Sequence, residues 1–227
     1  MNWLAIILTV AIVYGMAKDF SKFKETITFS LRIWRLTRIH TVLISIAALA
    51  AILIAVVTLD SLFPFMSKIS WVYWISGESY NVGIAAPAHI GIDEENVFYK
   101  MGYGLLLIGM FILLPHWAFF EEKMFRQGRN KWKQVPLTSL VFGLIHMVVG
   151  VPLTAGLALA IPGAIFHAYY IFSYKRFIKN PRVEKSIDGM TMEAENIAEA
   201  VATLKATSLH TIYNSFIISI LFLITVL

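Results

Sequence analysis

Six apolar runs govern what this chain can become: Trp3–Ala17, Thr41–Leu59, Met101–Phe120, Pro136–Val151, Leu153–Ser173 and Ser208–Leu227. Each is long enough, or nearly so, to cross a bilayer at about 20 residues per span. Hydrophobic residues make up 58% of the 227 and charged ones only 15%, too apolar a balance for a soluble domain of this length. The expected fold is therefore all-α, a polytopic transmembrane helical bundle of about six spans. The first run has no Lys or Arg before it and a basic stretch after it, the reverse of a secretory signal peptide. It is expected to stay as an anchor.

Charge sets the orientation. Of the 19 basic residues, all but Lys68 and Lys100 fall in segments 18–38, 123–133 and 175–205, which alternate to one side of the spans. The positive-inside rule makes that side the cytoplasm of a multi-pass cell-membrane protein, with both termini on the non-cytoplasmic side. The formal net charge of +5 thus reports topology and attraction to membrane lipids. No basic patch with interleaved aromatics points to nucleic acid. The absence of cysteine removes disulfides, thiolate nucleophiles and zinc-thiolate sites, and no phosphate-binding glycine loop or His-Glu-x-x-His pair is present. Any chemistry must come from Glu, His, Asn, Ser or Arg.

Two segments between spans have character of their own. Asp60–Lys100 carries Phe63, Phe65, Trp71, Tyr73, Trp74 and Tyr80, amphipathic aromatics that favour the headgroup level, and a helix on the outer surface is expected there. In the cytoplasmic segment, Met190, Ala194, Ile197, Val201 and Leu204 recur at spacings of four and three, with Thr191 placed to cap. That predicts an amphipathic helix. No Gly or Pro between Thr191 and Leu227 would stop it from running on into the last span.

Polar residues near or within the spans are few. Glu121 and Glu122 close the third run with Arg126 a turn later; His146 follows Phe142 by four; His167 lies in the fifth run; Asn214 follows His210 by four. A spacing of four puts each pair on one helical face. Such groups are poorly solvated in hydrocarbon, so they are expected to face one another around a small wet cavity. If the third span continues as helix toward Arg129, the glutamates lie about 10–12 Å from its end and His146 roughly 15 Å from Pro136, at nearly one level. The fourth span reaches only about 24 Å against a core of roughly 30 Å, so its outer turn at Val151-Pro152 should be sunk within the protein. Plainer roles exist for each: the glutamates can end a span beside Lys123 and Arg126, His146 can bond a backbone carbonyl, and Phe142 is packing. His167 reads as structural, and His40 and His89 as interfacial.

Glu121-Glu122-x-x-x-Arg126, Phe142-x-x-x-His146 and His210-x-x-x-Asn214, in that order, resemble the motifs of the type II CAAX proteases and bacteriocin-processing enzymes. This intramembrane group includes the CAAX prenyl endopeptidases and the lysostaphin-resistance protein A type. The likeness runs from about Phe119 to Phe216, and departs in the long segment between His167 and His210. It divides the chain into residues 1–100, two spans and an outer aromatic loop, and 101–227, a catalytic helical core with a cytoplasmic insert at 174–207. The resemblance implies an endopeptidase acting on membrane-associated or lipidated peptides. In it Glu121 activates water with help from His146, Glu122 supports it, Arg126 orients the carboxylates, and His210 with Asn214 stabilises the oxyanion. Glu121, His146 and His210 could also ligate Zn²⁺, whereas the family is equally described as metal-free, which is the form expected here. The alternative class is a transporter, an ion-binding protein or a scaffold using the same residues. Inverted-repeat transporters show two similar halves with broken helices, and this chain shows neither.

Overall fold

The computed structural model describes residues 22–76, 97–179 and 194–226, together with Tyr14. Every regular element among them is helical: α1 (Phe23–Arg35), α2 (Ile39–Leu62), α3 (Trp71–Ser76), α4 (Val97–Phe125), α5 (Val135–Ile145), α6 (Leu153–Ile178) and α7 (Ala194–Val226), with 3-10 turns at Pro64–Lys68, Trp132–Gln134 and His146–Val149. Five stretches are long and apolar enough to cross a membrane: Ile39–Leu62, Lys100–Phe125, Trp132–Val149, Leu153–Ile178 and Ala194–Leu223. They overlap the last five apolar runs, and the chain is an all-α polytopic bundle. The first run, Trp3–Ala17, and His89 lie outside the described residues.

Small residues decide how closely the helices approach, as they do where apolar solvent gives no drive to separate helix from lipid. Gly143 of α5 faces Gly156 and Ala160 of α6 so tightly that a Cβ there would overlap the Gly156 carbonyl oxygen and stand 2.8 Å from the Ala160 nitrogen. Gly163 of α6 admits the Phe142 ring, which a Cβ would meet at 2.9 Å. Along α7, Ala198, Ala202 and Ala206 are fully buried against Tyr170, Ile171 and Tyr174 of α6. The buried stripe of α7 is thus one residue on from Ile197 and Val201, which are only half-buried. Close backbone approach, rather than bulk, selects the face.

The helix predicted before the last span and that span form one element, the 33-residue α7. At 1.5 Å per residue it is about 50 Å long, so its first turns stand clear of a roughly 30 Å core. The fourth span is short, as expected, and its end is sunk: Gly150 and Val151 are buried. Gly150 takes a left-handed conformation (φ 90°), which glycine adopts without steric cost. The segment before α3 closes over it. Ser70 Oγ donates to the Gly150 carbonyl at 2.7 Å, Trp71 Nε1 to that of Val148 at 3.1 Å, and the Leu153 amide to Ile69 at 3.0 Å. Carbonyls freed where a helix stops short would otherwise lack donors. Within the aromatic segment Asp60–Lys100, the 3-10 turn Pro64–Lys68 and α3 are described between α2 and α4, and Trp74 on α3 is exposed.

One amphipathic helix falls outside the six-run pattern. Helix α1 buries Ile33 and Ser30 against α4, where Ser30 Oγ donates to the Ile112 carbonyl at 3.2 Å and Trp34 stacks on Phe111 at 5.5 Å. Helix α4 stops at Phe125 rather than running toward Arg129. Gly128 (φ 77°) turns the chain, and Arg129 Nη1 caps the Met124 carbonyl at 2.6 Å. The glutamates therefore lie about one turn, near 5 Å, from the helix end instead of two.

Gly143→Val is expected to destabilise the bundle by about 1–3 kcal/mol through overpacking, whereas Gly102→Ala, with open space around the added carbon, stays near neutral. Thermal unfolding of the purified variants in one detergent checks both.

Candidate functional site

Successive helical positions point about 100° apart, so two adjacent glutamates cannot share a surroundings. Glu122 turns into the bundle, its side chain 0% exposed, while Glu121 turns to the rim at 32%. A carboxylate with no access to water needs charged or donor partners, and Glu122 has both. Arg126, one turn on, donates from Nη1 to Glu122 Oε1 at 2.6 Å, and His210 of α7 meets the same oxygen through Nδ1 at 2.9 Å. The second guanidinium nitrogen donates to the Gly163 carbonyl of α6 at 3.3 Å.

Arg126 is itself buried, and aromatic faces complete its surroundings. Its guanidinium carbon lies 4.5 Å from the centre of Phe142 and 5.4 Å from that of Phe166. Burial pulls the guanidinium down from its ordinary value, against the opposing pull of Glu122 and then Glu121. It remains a cation throughout the accessible range. Phe166 also stacks on the His210 ring at 4.6 Å, fixing the imidazole that the carboxylate orients. Phe166 and Gly163 escaped the sequence reading because neither carries a chemical group; their only signal was proximity in the chain to His167.

The orientation of His210 has a chemical consequence. Its Nδ1 faces a carboxylate and so carries a proton, leaving Nε2 a bare acceptor in the neutral ring and a donor only in the imidazolium. That Nε2 looks toward Glu121 Oε2 at 3.7 Å, too far for a direct hydrogen bond and suited to a bridging group. Glu121 Oε2 and Glu122 Oε2 are both buried without a hydrogen-bond partner. Buried carboxylate oxygens left open in this way are uncommon in folded proteins and retain their capacity to accept a hydrogen bond.

Glu121, Glu122, Arg126 and His210 thus converge. His146 and Asn214 are nearby in the chain order of the motif yet are not joined to that group by any hydrogen bond among the described residues. His146 Nδ1 donates to the Phe142 carbonyl at 2.8 Å, so its half-buried ring offers a bare Nε2. Phe142 stands between the two histidines, 5.1 Å from His146 and 5.7 Å from His210, edge-on to each. Asn214 is half-buried, one turn beyond His210. The three groups considered as zinc ligands, Glu121, His146 and His210, do not form a ligand set: among the described residues no three His, Asp or Glu stand where they could hold a metal ion.

His167 lies apart from the carboxylates, with both ring nitrogens engaged. Nε2 donates to the Arg129 carbonyl at 2.7 Å and Nδ1 shares a hydrogen bond with Thr138 Oγ1 at 2.6 Å, tying the turn after α4 to α5 and α6. His40 sits at the start of α2, exposed and bonded to Tyr169 Oη at 3.0 Å.

Removing one partner of a fully buried ion pair strands the other charge, at a cost of about 3–5 kcal/mol. Arg126→Ala should lose that much in unfolding measurements, and Arg126→Ala with Glu122→Gln should recover part of it because no bare carboxylate remains. No protein-family model, no curated protein and no solved structure matches this chain.

Proposed function

We propose that this chain is an intramembrane endopeptidase of the type II CAAX and bacteriocin-processing kind, hydrolysing membrane-associated or lipidated peptides at a cavity facing the cytoplasm. The observation that carries the reading is the unequal fate of two adjacent glutamates. Glu122 is neutralised through Oε1 by Arg126 and His210, whereas Glu121 forms no hydrogen bond among the described residues and lies 3.7 Å from the open nitrogen of the fixed imidazole. One carboxylate is structural and the other is left with proton-accepting capacity, the division that general-base chemistry requires.

In this mechanism Glu121 takes a proton from water as the water oxygen bonds to the scissile carbonyl carbon. The carbonyl π electrons move to its oxygen, and the Asn214 amide, which has no other hydrogen bond among the described residues, donates to that oxyanion. The bare Nε2 of His146 orients the water by accepting a hydrogen bond from its second O–H, which stays on the oxygen. Collapse of the tetrahedral intermediate breaks the C–N bond, and the proton held by Glu121 passes to the leaving amine. His210, held by Glu122, keeps Nε2 toward Glu121 and shares that proton in transit.

The positive-inside rule assigns the end of the bundle bearing Arg126, Lys131 and Lys133 to the cytoplasm, on the same side as the glutamates. Glu121→Gln should lower the cleavage rate of a lipidated peptide at least about a hundredfold, the scale of a lost general base. Its thermal stability should barely change, because Glu121 forms no direct hydrogen bond that the fold relies on. Product formation in proteoliposomes, followed by mass spectrometry, measures it. Cleavage by Glu121→Gln at the wild-type rate removes this residue from the chemistry; solute or ion uptake without any cleavage favours a transporter.

A further inference from the structure

Away from the glutamates, a cavity of about 300 Å³ opens between the start of α2, the last turns of α6 and the middle of α7. Three cations line it, Arg38, Arg176 and Lys205, one from each of these places. The charges of Arg176 and Arg38 bear directly on Lys205. Among the described residues no carboxylate lines the space and none of the three cations has an ion pair. Like charges facing one cavity repel, and an anion held between them relieves the repulsion. The hydrogen-bonded His40 and Tyr169 form a polar wall beside them.

Position narrows the kind of anion. Arg38 directly precedes the span that begins at Ile39, and Arg176 lies two residues from the end of the span that closes at Ile178. The cavity therefore sits at headgroup level. Its rim is apolar and outward-facing, with Leu36 and Phe172 both exposed. Next to it Trp132 packs edge-on against Phe172 at 5.1 Å, with Lys175 Nζ 5.7 Å from the Trp132 ring, an aromatic and basic pairing suited to the interface.

We infer that this cavity binds a phosphate group, supplied by the headgroup of an anionic phospholipid, with Arg38, Arg176 and Lys205 around the phosphate and Leu36 and Phe172 against the acyl chains. The site is independent of the proposed hydrolysis, and its test reads lipid retention rather than activity. Purified protein is titrated with phosphatidylglycerol or phosphatidylcholine in detergent, and bound lipid is counted by native mass spectrometry.

Wild type should retain phosphatidylglycerol in preference to phosphatidylcholine, and Arg38→Gln with Arg176→Gln should weaken that retention about thirtyfold, the worth of two near-surface cations. Lys131→Gln with Lys133→Gln removes the same charge from exposed positions at the same end, and should leave retention unchanged. Equal weakening in the two double variants would mean diffuse surface attraction and overturn the site. Inorganic phosphate that displaces the lipid at comparable concentration would overturn the lipid as its source. Should the arginine variant not fold, Lys205→Gln alone is expected to cost about fivefold, and unchanged retention there overturns the proposal.

Discussion

A carboxylate sealed away from water must be answered, and the burial of Glu122 is the constraint on which the rest of this structure depends. Its partners come from different places: Arg126 from the turn after α4 and His210 from the middle of α7. The arginine then needs the Gly163 carbonyl of α6 and the ring faces of Phe142 and Phe166. One charge thereby obliges α4, α5, α6 and α7 to meet at a single level. Compared with apolar filling, such a pair adds little net stability. Its effect is on register, because sliding any of these helices by a turn would strand an ion in a dry interior.

Small residues make this meeting geometrically feasible. Gly143 and Gly156 let α5 and α6 touch backbone to backbone, Gly163 makes room for the Phe142 ring, and the alanine row on α7 draws that helix onto α6. The ring of Phe142 then spaces His146 from His210 and supports Arg126 at once. A side chain with no reactive atom ends up arranging three that have them.

The spans were legible in the sequence because a bilayer imposes length and polarity on every helix that crosses it, and both are visible in the order of residues. The short fourth span and the unbroken run into the last helix could be read in the same way, from residue count and the lack of Gly or Pro. Helix-depth arithmetic set the glutamates level with His146 on the expectation that the third span runs toward Arg129, but α4 ends a turn earlier because Gly128 turns the chain, and the contact that forms is between Glu122 and His210. What could not be read was anything set by rotation about a helix axis. The buried face of α7 differs by one residue from the apolar stripe, since alanine packing outweighs the larger side chains. Likewise the spacing of four placed Asn214 on the face of His210 but not in contact with the carboxylates, while the plainer reading of His146, bonded to a backbone carbonyl, is met by the Phe142 carbonyl of its own helix. The amphipathic α1 was hidden in a loop full of charge.

The clasp of Ser70 and Trp71 over the end of α5 has a bearing beyond the protein. The span Trp132–Val149 has 18 residues, the shortest of the five, or about 27 Å as α-helix, and Leu137, Val141, Ile145 and Val148 along it are exposed. Where the apolar height of a helix falls short of the surrounding hydrocarbon, the membrane thins to meet it. Against a core of roughly 30 Å this span falls a few Å short, so a thinner bilayer suits this face of the bundle better than a thicker one.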